Sequence, residues 1–236
     1  MVNGKWKIKK KARGLDGKKS NFSPFHLFTF SPKNGFTIIE VTVVFLLILG
    51  VTFLVIPRSL DNTRQAKLIS KWTQTYSEIE YMFSVIKAQQ DGKILLSADG
   101  VKKESVLLDI VKPYLRVTSE VKSEYKQYYM NKKLVDSNSI YGLNTHYLTS
   151  LDEILGLRWI NASCEAEQIC AIMSFDINGL TPPNTWGYDI FGINIFRNKI
   201  EPIGKGMSTD VLNFDCSKSG TGVYCSYYYL IGGRFD

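Results

Sequence analysis

The chain has 236 residues, 44% hydrophobic, with a formal net charge of +7 at pH 7. On a prior of about 100–200 residues per domain, that is room for one sizeable domain plus appendages. The charge is unevenly placed: residues 1–35 hold nine Lys and Arg against one acid, Asp16, so residues 36–236 carry 20 basic and 21 acidic side chains, a net of −1. This excludes a nucleic-acid-binding charge spread along the whole chain and points to topology, because positive charge just before an apolar run stays on the cytoplasmic side.

Residues 1–35 are Lys- and Gly-rich and then Phe- and Pro-rich, with Phe22, Pro24, Phe25, Phe28, Phe30 and Pro32. No helical or strand period runs through them, which predicts a disordered or interfacial leader. From Phe36 to Ile56 the only ionisable side chain is Glu40. A helix over these residues covers roughly 31 Å, about the thickness of a bilayer core, and is predicted to be the transmembrane part of a long N-terminal helix. A cleavable secretory signal has a shorter apolar core, about 7–15 residues, followed by a small-residue cut site. Here the small residue, Gly35, precedes the run, so the span is expected to stay attached with its C-terminal side exported. An ordinary signal anchor has the same topology but leaves Gly35 and Glu40 without a role.

Pro57 follows the span and removes a backbone donor, so a kink or local melting is expected there. Over residues 57–90 the pattern turns amphipathic. Leu68, Trp72, Tyr76, Ile79, Phe83 and Ile86 are spaced 4, 4, 3, 4 and 3 and form one stripe of a helix that needs a partner. Asp91-Gly92 supplies the stop. Residues 91–236 are expected to form the exported globular domain. Glu104 to Leu115 reads as a short second helix interrupted at Pro113. Ser119 to Lys133 interleaves Tyr125, Tyr128 and Tyr129 with Lys122, Lys126, Lys132 and Lys133, a pattern that can bind nucleic acid. Glu120, Glu124 and Asp136 dilute it toward a solvated loop or helix face.

From Tyr147 onward the chain reads as short strands divided by turns. The predicted strands are Ile169–Ile177, Tyr188–Phe196 and Val223–Ile231, with turns at Asn178-Gly179 and Pro182-Pro183-Asn184. The whole is α+β: a long N-terminal helix packed on a small antiparallel sheet. Cys164, Cys170, Cys216 and Cys225 all lie in the exported part, where an even count favours disulfides. Of three possible pairings, the local ones, Cys164–Cys170 and Cys216–Cys225, close the shortest loops. Zinc would need tighter spacings than C-x5-C and C-x8-C. No G-x-S-x-G, P-loop lysine motif or H-E-x-x-H is present, and the lone mature histidine, His146, reads as a surface or packed residue. The expectation is a protein that is not an enzyme.

The stretch Lys33-Asn34-Gly35-Phe36-Thr37-Ile38-Ile39-Glu40 resembles the cleavage and methylation site of type IV pilins and type II secretion pseudopilins. The resemblance covers about thirty residues. It implies cutting between Gly35 and Phe36 by a prepilin peptidase and methylation of the new amine of Phe36. It further implies that Glu40 meets the N-terminal amine of a neighbouring subunit, and that Pro57 marks a helix able to loosen in a filament. A carboxylate within an apolar segment has to be paired, neutralised or hydrogen-bonded, which gives that role a physical basis. The stretch from Phe175 to Phe191 is similar to a segment in the β-regions of pilin-like proteins. Its Asp176, Asn178, Asn184 and Asp189 are hard oxygen donors that could hold calcium. The match to an EF-hand loop is poor, and Asx-turns explain the same residues without metal.

The expected role is a pilin-like or pseudopilin-like subunit, minor rather than abundant. Its partners would be other such subunits, an inner-membrane assembly platform and the membrane. A signal-anchored exported binding protein and a competence-type DNA-uptake subunit are the alternatives. The near-neutral charge of residues 36–236 argues only mildly against the DNA-uptake version.

Overall fold

The computed structural model describes residues 35–94, 103–121, 125–143, 145–161, 164–165 and 167–234, apart from the side chains of residues 54, 56–62 and 103. The expected leader, up to Asn34, and Lys122 and Glu124 lie outside these residues. The chain divides into two units, one reaching Thr52 and one beginning at Phe53.

One helix, α1, runs from Ile38 to Gln89. Backbone N–H of Glu40 donates to Thr37 Oγ1 (3.3 Å), so a Thr side chain takes one of the donors left over at the helix start. The helix ends as its sequence predicts. Asp91 and Gly92 both have positive φ, 51° and 82°, and Gly92 N–H closes back on Lys87 O at 2.9 Å. The helix continues through Pro57.

The transmembrane expectation is corrected. Among the described residues, no helix is long and apolar enough to cross a membrane.

The sheet is also larger than expected. Six strands lie in sequence order as an antiparallel meander: β1 Val117–Glu120, β2 Thr145–Thr149, β3 Ile154–Trp159, β4 Ala171–Asp176, β5 Ile190–Ile195 and β6 Ile200–Pro202. β4 sits in the interior, pairing Phe175 with Leu155 on one side and with Phe191 on the other. Helix α2, Lys103–Leu115, precedes the sheet and continues through Pro113 for two more residues before Arg116 turns the chain at φ 47°. Helix α3, Thr209–Asp215, is capped by Ser208, whose side chain accepts from Val211 N. The segment Val223–Ile231, expected as a strand, instead holds the short helix α4, Cys225–Tyr228, and turns. Val223 and Tyr229 are buried in the core, Ile231 is exposed, and Cys225 is tied to Cys216.

Both faces of the sheet are covered. Met173, Phe175, Phe191, Ile193 and Ile195 point to the face that packs with Leu68, Trp72, Ile79, Phe83 and Ile86 of α1. The alternate residues Ile172 and Ile190 join Leu143, Trp186, Ile203 and Val223 on the other. Within the second unit, Trp72 is the central contact. It is fully buried, stacks on Phe191 with ring centroids 5.0 Å apart, and donates Nε1–H to Ser226 O at 2.9 Å. Lys71 adds a polar link, with its Nζ 3.2 Å from Oε1 of the buried Glu153 and also donating to Ile177 O.

Candidate functional site

Two places gather the residues singled out by sequence. At the first, Gly35, Phe36 and Thr37 precede α1 in non-regular backbone. Gly35 is exposed, and a side chain built on it would meet nothing within 4 Å. Phe36 is 68% exposed, and the exposed apolar row continues around α1 through Ile38, Ile39 and Leu46 to Phe53 at 78%. Glu40 stands in the first helical turn, where a carboxylate also complements the positive end of the helix dipole. This is a local role for Glu40 that the sequence pattern Thr-x-x-Glu signals and that was not anticipated.

The second place is the turn between β4 and β5. Asp176 and Asp189 are both almost fully buried and close enough to repel one another. Burial, with that repulsion added, lifts Asp176 from an ordinary 3.8 to about 8. Burial likewise lifts Asp189 to about 6, although donors at Thr185 and Asn184 pull the other way. The carboxylate oxygens are occupied by protein donors. Asp176 accepts Asn178 N–H at 3.2 Å in an Asx-turn and the Tyr125 hydroxyl on its other oxygen. Asp189 accepts Asn184 N–H at 3.0 Å and Thr185 N–H. Gly179 and Asn184, at φ 70° and 49°, take the left-handed turns that the sequence favours there.

The four residues proposed for calcium are therefore together, on the turn between β4 and β5. The side-chain oxygens of Asn178 and Asn184 are buried and accept no protein donor. The acidic pair reads as a structural knot shared with Tyr125, a residue that sequence spacing gave no reason to place there.

His146 lies beside this knot. It is buried, its Nε2 is 3.1 Å from Gln127 Nε2, and the Tyr125 ring stands edge-on at 4.7 Å. Burial lowers it to about 4, so it is neutral at pH 7 and packed as expected.

Both local disulfides are present, with Cα–Cα distances of 4.7 Å for Cys164–Cys170 and 5.4 Å for Cys216–Cys225. Asp215 lies close to Cys216 and Cys225, the one metal-like grouping among the described residues. The disulfide consumes both sulfurs, and the Asp215 carboxylate is taken by Thr221 N–H at 2.9 Å and Tyr224 N–H at 2.8 Å. Sequence reading overlooked Asp215, which organises the disulfide loop. Lys126, Lys132 and Lys133 are exposed, as a solvated segment predicts.

Comparison with protein-family models, curated proteins and solved structures finds no match for this chain.

Proposed function

We propose that this chain is a pilin-like or pseudopilin-like subunit, a minor component of a type IV pilus or type II secretion filament. In this reading a prepilin peptidase cuts between Gly35 and Phe36, and the new amine of Phe36 is methylated. The subunit then joins its neighbours through the amino-terminal part of α1, with the domain outside the cytoplasmic membrane. Its role is assembly rather than catalysis, and an assembly platform recruits it.

The observation that carries the reading is the exposed apolar surface of α1 from Val41 to Phe53, directly after an exposed glycine and the single carboxylate of Glu40. Apolar residues all round a helix require cover from other apolar groups. Equivalent helices of neighbouring subunits supply it with matched shape. Such packing buries Glu40, and the freed amine of Phe36 on a neighbour is the cation that would compensate it.

The test is co-assembly of Glu40→Ala and Glu40→Val in the native host. Each variant is expected to reach wild-type abundance and to lose its leader normally, yet to be depleted from filaments or crosslinked complexes. Normal co-assembly of Glu40→Ala refutes the role of Glu40. Retention of residues 1–35 in the wild-type protein, read by mass spectrometry, refutes processing and favours a tethered binding protein.

A further inference from the structure

A cavity of about 430 Å³ opens on the second unit where three segments far apart in sequence converge. Its walls include Tyr128, Tyr129, Lys132, Pro183, Tyr188 and Lys218. The walls are held from behind by backbone. Tyr128 N–H donates to Asn184 O at 2.9 Å, and its carbonyl accepts Trp186 N–H at 2.8 Å, so the first segment is stitched to the second. Met130 N–H and Asn131 N–H donate to Thr221 O and Gly220 O, both at 3.0 Å, stitching it to the third. That third segment is the loop closed by Cys216–Cys225, which carries Lys218.

The lining is chemically one-sided. It combines Tyr128, Tyr129, Tyr188, Met130 and Pro183 with Thr185 and the exposed Lys132 and Lys218, and no carboxylate or carboxamide is among the described residues that form it. Cations are disfavoured because none of the described lining residues carries a negative charge. Neutral sugars lack the Asp, Asn or Glu side chains that would sort their hydroxyls. A ligand that suits the cavity has a flat ring to lie on tyrosine and a negative charge to meet lysine.

We propose that this cavity binds single-stranded nucleic acid, with a base stacked on the tyrosines and the adjoining phosphates held by Lys132 and Lys218. Stacking on aromatic side chains tolerates any base, and lysines beside the stack follow the backbone. The duplex hides its base faces and does not fit. The sequence hinted at half of this site through Tyr128, Tyr129 and Lys132; Tyr188 and Lys218 arrive only through the fold. The inference does not depend on the assembly reading, since binding needs only the second unit's surface.

The experiment is fluorescence anisotropy of the full chain with a labelled oligothymidylate of about 15 nucleotides, a length suited to known single-strand sites of about 4–16. The basic residues before Phe36 add a charge-only background common to every variant, so the site is read from differences. Replacing Tyr128 by Leu is expected to weaken binding about 10-fold, whereas Tyr128→Phe, which keeps the ring, retains wild-type affinity. The double variant Lys132→Gln/Lys218→Gln, at two exposed positions, is expected to reduce the log–log salt slope by about 1.4. Competition by inorganic polyphosphate as strong as by unlabelled oligothymidylate overturns the proposal, because it shows charge without stacking. An unchanged salt slope in the double lysine variant, or equal binding by duplex, overturns it too.

Discussion

The attachment of α1 to the sheet turns on Trp72, and truncating it is the sharpest test of the fold. Trp72→Ala removes a fully buried indole, its stack on Phe191, and the donor that satisfies Ser226 O. Truncating a buried Trp costs about 3–5 kcal/mol through lost transfer energy and the cavity left behind. Leaving a buried carbonyl without its donor adds about 1–3 kcal/mol. Allowing for partial relaxation, the expected loss is about 4–6 kcal/mol, comparable with the whole stability of many domains, about 5–15 kcal/mol. Trp72→Phe keeps an aromatic ring against Phe191 and forfeits mainly the hydrogen bond and some volume, so about 1–3 kcal/mol is expected. Urea unfolding of the purified protein, followed by near-ultraviolet circular dichroism, measures both. A Trp72→Ala variant that loses less than about 1.5 kcal/mol would show that this face of α1 does not pack as described.

Three further outcomes follow from the same geometry. The carboxyl of Asp176, raised to about 8 by burial, stays protonated in the folded protein where the unfolded chain, near 3.8, has already released its proton. Its contribution is therefore fully present below about pH 4 and is lost as pH rises toward 8. Asp176→Asn is expected to flatten that decline, so the difference in Tm from wild type grows in the variant's favour from pH 5 to pH 8. His146, lowered by burial, acts with the opposite sign in both proteins and cancels from the difference; a constant difference across this range would contradict the account. Replacing Cys216 and Cys225 together by Ser should cost about 2–3 kcal/mol in urea unfolding, while a change near zero would mean that Asp215 alone holds the loop. Chelating calcium should leave Tm unchanged, because backbone amides and Tyr125 already occupy the Asp176 and Asp189 oxygens; a drop of several degrees would reinstate the metal.

Much of the second unit was legible because its signals are periodic or local. The stripe from Leu68 to Ile86 settles which face of α1 is buried, and only Tyr76 on that stripe stays half-exposed. Asp91-Gly92 and Asn178-Gly179 read correctly as stops and turns, since positive φ is a local demand that few residues meet. β4 and β5 stand within their predicted ranges because both faces are apolar. β1 escaped notice: its Val-Thr-Ser-Glu is largely exposed, so no hydrophobic alternation marks it. Val223 to Ile231 misled for the opposite reason, as its strand-like composition reflects burial against the sheet rather than a place in it. The Tyr125–Asp176 bond and the cavity at Lys218 depend on chain segments meeting across 50 or more positions, and no local pattern encodes that. The transmembrane expectation rested on the apolar run of the sequence, whereas among the described residues no helix is long and apolar enough to cross a membrane.

The two outermost strands of the meander have a consequence for how copies of this chain can meet. β1 is four residues long, irregular between Val117 and Ser119, and carries Thr118, Ser119 and Glu120 outward. β6 is shorter still and closes on Pro202, which cannot donate to a further ladder. Short, charged, proline-stopped borders refuse an incoming strand, the route by which sheets fuse into insoluble ribbons. A polymer of this protein would have to grow without any continuation of the sheet from one copy to the next.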